Sequence, residues 1–291
     1  MSDISVIGLG KMGAAIASAL LQSGRSVTVW NRSAEKAAPL VEAGAALASS
    51  PEEAVAASDA TIVCIKTHKT TTELLKQLSG QLSGKTIIDL STGGAEEAKE
   101  LVDMLTAAGA QWHIGMINAY PSGIGKEETA ILCAGPPEVW DRWGDAIRTL
   151  GGASAHVGTE AAAIPGLFAA MFTARQGFMF GLIYGGVVCR KAGLPMEVFA
   201  AQVPVTLGMA GNYADLFMRT VPTRDFDDPG ATVAVYLAAL EDVMATFEGT
   251  GTPDALPRLM RDLAQRGVDE GYASQELTSL VEMLAGDVPG Q

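Results

Sequence analysis

The sequence contains little cysteine. Its three cysteines, Cys64, Cys133 and Cys189, are spread over 291 residues and form no C-x-x-C pair. So low a count excludes a small domain held together by disulfides, and the spacing matches no metal-binding motif. All three lie among apolar residues, which predicts buried free thiols in a reducing compartment. We therefore expect a cytoplasmic protein that holds no metal.

Basic residues are also scarce. The chain has 20 Lys and Arg against 33 Asp and Glu, which gives a net charge of −13. Nucleic acids and anionic membrane surfaces attract proteins of the opposite charge, so neither is an expected partner. Two cations near the N-terminus, Arg32 and Lys36, stand out against this acidic background.

The sequence also lacks an uninterrupted apolar run of transmembrane length. The longest apolar stretch, 177–189, is shorter than the ~20 residues that a membrane-spanning helix needs, and Arg175 and Arg190 flank it. Near the N-terminus, Asp3 and Gly8 interrupt the pattern of a signal peptide. Hydrophobic residues make up 48% of the chain, and 291 residues suffice for two globular domains.

A glycine motif lies near the N-terminus, between a strand pattern and an Ala-rich helix pattern. Gly8, Gly10 and Gly13 have the spacing G-x-G-x-x-G. The first allows a tight turn, the second lets a pyrophosphate approach the backbone, and the third lets the helix pack against the strand. The phosphate then meets free N–H groups at the helix N-terminus. With a second strand over 25–30, the motif predicts a dinucleotide-binding βαβ unit.

The end of the second predicted strand selects the dinucleotide. NAD sites usually carry Asp or Glu at this place, whereas here Asn31, Arg32 and Ser33 follow, with Lys36 one turn later. A carboxylate repels a 2′-phosphate, and a guanidinium binds one in a fork geometry. The pattern therefore favours NADPH. The same residues also suit a polar turn with Ser33 as the N-cap of the next helix, and both interpretations can hold.

Strand and helix patterns alternate through the first 160 residues. Further strands are predicted at 60–65, 85–90 and 129–133, and further helices at 72–82, 95–108 and 137–150. This alternation predicts a mostly parallel Rossmann sheet with helices on both faces, whose ligands sit beyond the carboxyl ends of the strands. The tips after Ile65, after Leu90 and around Tyr120 should then line the cofactor site. The predicted cofactor-binding residues are Gly8, Leu9, Gly10, Lys11, Met12, Gly13, Asn31, Arg32, Ser33, Lys36, Ile65, Lys66 and Thr92.

The second half of the sequence reads as helical. A nearly continuous apolar helix is predicted from Pro165 to Ala192, and no strand pattern follows it. A long helix that is apolar all round must be buried on every side, so we expect a second subunit to cover it. The later predicted helices span 195–203, 207–219, 231–247, 257–269 and 275–284. We divide the chain into an NADPH-binding domain (1–162), an interdomain helix (163–192) and a helical dimerisation and substrate domain (193–291).

The glycine motif and the Asp89–Thr92 tip resemble the β-hydroxyacid dehydrogenases. That family uses a Lys on the long helix as its acid, but the matching stretch here, 159–171, contains neither Lys nor Asn. Leu167 or a neighbour fills the position of the lysine. The hydroxyacid chemistry therefore looks lost.

Further motifs follow along the rest of the chain, at Tyr120–Gly125, Ala134–Gly135, Leu150–Gly152, Met179–Gly181, Leu237–Leu240 and 271–284. In their order and spacing, the whole chain resembles another branch, the imine reductases and reductive aminases. The resemblance implies an NADPH-dependent reductase of cyclic imines, iminium ions or ketone–amine pairs. It also implies a domain-exchanged homodimer in which the helical domain of the partner closes each active site.

One position departs from that family. Many members carry Asp or Tyr as a proposed proton donor on the long helix, where this chain has Phe172, whose ring has no proton to give. Three explanations remain open. Substrates arrive as iminium ions that favour aromatic faces, Tyr120 or the partner subunit's Tyr236 supplies the proton, or the activity is weak or altered. The candidate catalytic residues are therefore four: Phe172, Tyr120, Tyr236 and Thr92, the last at its strand tip.

Two other functions remain as alternatives. One is a β-hydroxyacid-type dehydrogenase with a displaced acid, and the other is a non-catalytic NADPH-binding protein. The histidines His68, His113 and His156 have no partner spacing for a metal or a catalytic triad, so we expect surface or core roles for them.

Overall fold

The computed structural model describes residues 2–286. The chain forms two compact units, Met1–Thr173 and Ala174–Gln291. The boundary between the units falls within a long helix, so the predicted division at 162 and 192 stays a prediction.

An eight-stranded sheet forms the centre of the first unit, in the order β3-β2-β1-β4-β5-β6-β7-β8. Neighbouring strands are parallel except β6 and β7, which are antiparallel. The strand order reverses between β1 and β4, and ligands of doubly wound sheets bind at this switch point. The predicted α/β class is confirmed. The strands are β1 (Ile4–Ile7), β2 (Val27–Trp30), β3 (Ala46–Leu47), β4 (Ala60–Val63), β5 (Thr86–Asp89), β6 (Gln111–Ile117), β7 (Ile131–Ala134) and β8 (Ala155–Gly158).

Helices cover both faces of this sheet because its central strands are apolar on both sides. Ile62 of β4 belongs to one buried cluster and Val63 to the other, and Ile88 and Ile87 of β5 divide in the same way. Such strands need a helical layer on each face. The helices of this layer are α1 (Lys11–Gln22), α2 (Ala38–Glu42), α3 (Pro51–Ala56), α4 (His68–Lys76), α5 (Ala95–Ala107) and α6 (Pro137–Leu150).

Several elements of the first unit differ from the sequence prediction. Helix α4 ends at Lys76 instead of residue 82, and it begins at His68 because Thr67 caps it by accepting the N–H of Thr70 at 3.1 Å. The elements β3, β6, β8 and α3 are absent from the prediction. The predicted helix after β2 begins as a 3₁₀ turn, Ala34–Ala37, with Ser33 at its N-cap position but without a capping bond from the Ser33 side chain, and it continues as α2. Strand β6 carries polar residues and Gly115, where a Cβ would lie only 2.5 Å from the Leu90 side chain. Tertiary packing therefore overrides a weak local strand pattern here.

The second unit is helical, as predicted. Its isolated β-bridge, Thr232 to Glu276, is no strand. The prediction of two helices at 195–203 and 207–219 is wrong, because α8 continues through Pro204. A proline removes one helical hydrogen bond, but its fixed φ is itself helical, so the flanking turns can continue. The helices are α7 (Ala163–Lys191), which crosses the unit boundary, α8 (Met196–Thr223), α9 (Val233–Gly249), α10 (Ala255–Asp269) and α11 (Leu280–Ala285).

Helix α7 is longer than the apolar run that marks it in the sequence. Its 29 residues and its mean hydropathy of 1.3 over an 18-residue window would let it span a membrane, which corrects the expectation from the shorter run. Core helices of soluble proteins pass the same test, so one such helix is weak evidence for a membrane.

Candidate active site

The glycine turn after β1 is built as the motif predicts. Gly8 has φ of +96°, and a Cβ there would lie 2.4 Å from the Cys64 carbonyl oxygen. A Cβ at Gly13 would lie 1.9 Å from the Gly8 carbonyl oxygen, so α1 can pack this closely only without a side chain. At Gly10, by contrast, a Cβ would meet no atom within 4 Å. The middle glycine therefore faces open space beside the turn.

The N-terminus of α1 is prepared for an anion. Its N-cap is Gly10, no side chain caps the helix, and the first turn contains no acidic residue. The first helical hydrogen bond joins the Ala14 N–H to the Gly10 carbonyl at 2.9 Å. The preceding N–H groups and the helix dipole fit a pyrophosphate. Lys11 is exposed in this first turn.

A first cavity of about 300 Å³ lies at the end of β2. The Asn31 side-chain amide connects the glycine turn to the loop after β2. Its Oδ1 accepts the Leu9 N–H at 2.9 Å, and its Nδ2 donates to the Ser33 carbonyl at 2.9 Å. Three cations and no carboxylate line the cavity, which fits the 2′-phosphate of NADPH. The lining residues are Gly8, Trp30, Asn31, Arg32, Ser33, Lys36, Ile65, Lys66, Thr70 and Leu74.

A second cavity of about 230 Å³ lies at the carboxyl ends of β4 and β5. Met12 joins it to the glycine turn, and Ile65 belongs to the walls of both cavities. The nicotinamide of a dinucleotide bound across the turn would reach this cavity, as doubly wound folds require. Its other lining residues are Cys64, His68, Leu90, Ser91, Thr92, Gly93, Gly115, Met116, Ile117, Ile164, Pro165 and Phe168.

Phe168 is the aromatic residue in the lining of the second cavity, whereas Phe172, a predicted catalytic residue, contacts Phe168 but lines neither cavity. Phe168 lines the cavity, and its ring stacks on that of Phe172 with centroids 5.3 Å apart. The Phe172 side chain is 41% exposed in this chain. The pair offers apolar area and a π face, but no group that can protonate a substrate.

A buried hydrogen-bond network supports the β4 and β5 tips. Asp89 Oδ2 lies 2.6 Å from Nδ1 of His68, and Oδ1 accepts the Ser91 hydroxyl at 2.6 Å and the Thr71 hydroxyl at 3.1 Å. The Ser91 oxygen in turn accepts the Ile65 N–H at 3.2 Å. His68 is 1% exposed and Asp89 is fully buried. The expectation of a surface or core role therefore describes only part of what His68 does, because this buried residue also lines the second cavity.

Cys64 is no nucleophile in this cavity. Burial and the nearby Asp89 charge raise the pKa of its thiol to about 12. The thiolate, which is the reactive form, is therefore negligible at neutral pH. Among the described residues, no cluster of His, Cys, Asp and Glu is placed to hold a metal ion.

The structure brings some predicted residues together and leaves others apart. Thr92 lines the second cavity, with its carbonyl accepting the His68 N–H at 3.1 Å. Tyr120 is 73% exposed and lines neither cavity. Tyr236 lies on α9 of the second unit beside Tyr213, whose pKa is raised to about 12 by burial and by Tyr236 and Glu276.

The sequence did not predict the pairing of His68 with Asp89, because a contact between residues 21 positions apart leaves no local pattern.

The fold and the two cavities define a doubly wound dinucleotide-binding protein. Residues 3–158 match the model of the NAD binding domain of 6-phosphogluconate dehydrogenase. Residues 165–286 match the C-terminal domain of NADPH-dependent reductive aminase-like proteins. The chain belongs to the family of imine reductases and reductive aminases.

Relatives in this family match the whole chain. An NADPH-dependent reductive aminase of Aspergillus oryzae is 29% identical over 284 residues, which cover 96% of each chain. The structure of an imine reductase from Myxococcus stipitatus with NADP+ superposes with a TM-score of 0.90 at 27% identity, over 97% of this chain and 99% of that one. A reductive aminase from Aspergillus terreus, in complex with NADPH and ethyl-5-oxohexanoate, gives a TM-score of 0.88 at 29% identity, over 98% and 99%.

Proposed function

We propose that this protein is an NADPH-dependent imine reductase. The observation that carries the proposal is the pair of cavities joined by the glycine turn, one cationic and one apolar with an aromatic side. When bound, NADPH supplies a hydride from C4 of its nicotinamide to the carbon of a C=N bond. The residues that line the two cavities would hold the cofactor and present the substrate to it.

The first cavity would hold the 2′-phosphate end of the cofactor. Arg32 and Lys36 are exposed and can close on a phosphate, while Asn31 fixes the loop that carries them. The open space at Gly10 admits the pyrophosphate to the N-terminus of α1. The cations of the first cavity favour the 2′-phosphate that NADPH has and NADH lacks, whereas the pyrophosphate site suits both cofactors.

The second cavity suits a cyclic imine or its iminium ion. Its lining contains no Lys, Arg or Asn that could bind a carboxylate, which disfavours a hydroxy acid. The face of Phe168, stacked on Phe172, favours an organic cation. Ketone–amine pairs that form an iminium ion in solution are substrates of the same class.

We also propose that the protein works as a domain-exchanged homodimer in the cytoplasm. The support is the apolar surface that the long helices expose in the single chain. Of the residues in α7, only Ile164 is buried, and of those in α8, only Thr220 is buried. A Cβ at Gly177 or Gly181 would meet open space, so a partner helix could approach closely there. The three cysteines are free thiols, as a reducing compartment allows.

The test is NADPH consumption against a panel of cyclic imines, N-alkyl iminium ions and ketone–amine pairs, with amine formation measured in parallel. Turnover of C=N substrates with NADPH supports the proposal. Turnover of a hydroxy acid or semialdehyde alone would replace it with the dehydrogenase alternative. Tight NADPH binding without any turnover would mean a binding protein.

A further inference from the structure

The second cavity contains an ionisable side chain that the proposed reaction has not yet used. His68 lines the cavity together with Ser91, Thr92 and Gly93. A neutral imine needs a proton on nitrogen as well as a hydride on carbon, and the aromatic pair cannot provide it. His68 is the ionisable nitrogen base among the lining residues of this cavity.

The ring of His68 is held in one orientation. Nδ1 lies 2.6 Å from Asp89 Oδ2, and because a carboxylate only accepts, Nδ1 carries the hydrogen. Gly93 lies against the Cδ2 edge, since a Cβ there would lie 2.5 Å from that atom. With Nδ1 bound to Asp89, the second ring nitrogen, Nε2, remains to give or take a proton. This is how a carboxylate prepares a histidine for acid–base chemistry.

Asp89 is itself anchored as a carboxylate. Oδ1 accepts the hydroxyls of Ser91 and Thr71 and the Ser91 backbone N–H at 3.2 Å. Two further ionisable groups lie near His68: the Cys64 thiol, which stays protonated, and Glu97, whose carboxylate accepts the backbone N–H of Lys69 at 3.3 Å.

We propose that His68, held by Asp89, supplies the proton that the imine nitrogen takes up when its carbon accepts hydride. The inference rests on the proposed function. As the carbon–hydrogen bond forms, the C=N π pair moves to nitrogen and takes the proton from His68 Nε2. The products are the amine, NADP+ and a neutral imidazole, which regains its proton from solvent.

The test compares a neutral imine with an iminium ion that needs no proton. Dihydroisoquinoline and N-methyl-dihydroisoquinolinium serve as the pair, with kcat/KM measured across pH. In His68→Gln, we expect kcat/KM for the imine to fall by ~100-fold or more, the lower range of general acid catalysis, and that for the iminium ion to stay unchanged. Added imidazole should restore imine turnover in His68→Ala. His156→Gln, at a histidine that lines neither cavity, should match the wild type on both substrates.

Two measurements are independent of turnover. The dissociation constant of NADPH, from its fluorescence, should be the same in wild type and His68→Gln. Nitrogen NMR of the imidazole in the ligand-free protein should show the hydrogen of His68 on Nδ1, where it is bonded to Asp89, and Asp89→Asn should change that signal.

The outcomes separate this inference from the function on which it rests. If the wild type reduces neither substrate, the imine reductase function fails and the inference with it. If the wild type reduces both and His68→Gln equals it on the imine at every pH, His68 is not the proton source. If His68→Gln loses both substrates equally together with NADPH affinity, the residue only shapes the cofactor site and the inference is overturned.

Discussion

Arg32 is the residue on which cofactor choice depends most directly. It is exposed, it lines the first cavity, and no carboxylate shares that lining. A guanidinium can bind the 2′-phosphate of NADPH through two parallel hydrogen bonds, whereas NADH offers only a neutral 2′-hydroxyl at this place.

We expect Arg32→Ala to raise the KM for NADPH on the order of 10- to 100-fold, because a hydrogen bond to a charged group contributes ~1.5–3 kcal/mol. The KM for NADH should change little. Arg142→Ala removes a guanidinium that pairs with Asp59 on the surface, and it serves as the control. Equal effects of Arg32→Ala on both cofactors would show that Arg32 does not read the phosphate.

The protonation of His113 should make the folding stability of the first unit depend on pH. It is buried, stacks on His156 at 5.4 Å and donates Nε2–H to the Pro136 carbonyl at 3.0 Å. Burial and the neighbouring His156 lower its pKa below the ordinary value of 6.5. The unfolded chain therefore binds a proton at a higher pH than the folded chain does.

Folding stability contributed by His113 should accordingly be complete above pH 6.5 and fall as the pH drops toward the lowered pKa. We expect Tm to decline less steeply in His113→Gln than in the wild type as the pH is lowered from 6.5, even though the variant loses ring stacking at every pH. Parallel Tm–pH curves would contradict this role.

At the scale of the element, two glycines of the β1–α1 turn serve different purposes: Gly13 allows the helix to pack, and Gly10 leaves space for a ligand. A Cβ at Gly13 would clash with the Gly8 carbonyl oxygen. Gly10, by contrast, has φ of −66°, and a Cβ there would meet no atom within 4 Å. The folded chain alone therefore tolerates a side chain at one position and not at the other.

We expect Gly10→Ala to leave the Tm of the ligand-free protein unchanged or slightly higher, by the ~0.4–1 kcal/mol that such a change contributes, while NADPH affinity falls sharply. Gly13→Ala should lower the Tm of the ligand-free protein, since overpacking costs ~1–3 kcal/mol or more. Calorimetry and NADPH titration of both variants test this. An equal loss of Tm in the two would mean that Gly10 also serves packing.

Elements with strong local patterns are the ones that the sequence predicts well. Strand β1, helix α6 and the glycine turn agree with the structure because period, caps and turn residues coincide there. Strands β6 and β8 carry histidines and glycines whose roles come from neighbouring elements. Of the site, the turn and the Arg32 cavity are local and predictable. The His68–Asp89 pair joins the first residue of α4 to the last residue of β5, and this contact is visible only in the folded chain.

At the scale of the whole molecule, the long helices α7 and α8 expose apolar surface in the single chain. Large apolar side chains on them are exposed in the single chain, including Phe180 at 52% and Met209 at 68%. Burying such area is the main favourable term in association.

We expect sedimentation at equilibrium to show a homodimer that does not dissociate before it unfolds, with an interface above ~2,000 Å² as in obligate dimers. Phe180→Glu with Met209→Glu should weaken the dimer, and the surface exchange Lys99→Glu should not. A folded and active monomer in dilute wild-type solution would contradict the dimer.

The most direct test of the imine reductase function follows one hydrogen atom. NADPH that carries deuterium at both C4 positions is incubated with the protein and dihydroisoquinoline, and the amine is examined by mass spectrometry and NMR. We expect tetrahydroisoquinoline with one deuterium on the carbon that was double-bonded to nitrogen. Amine without label at that carbon, or no amine while the cofactor is bound, would contradict hydride transfer to a C=N bond.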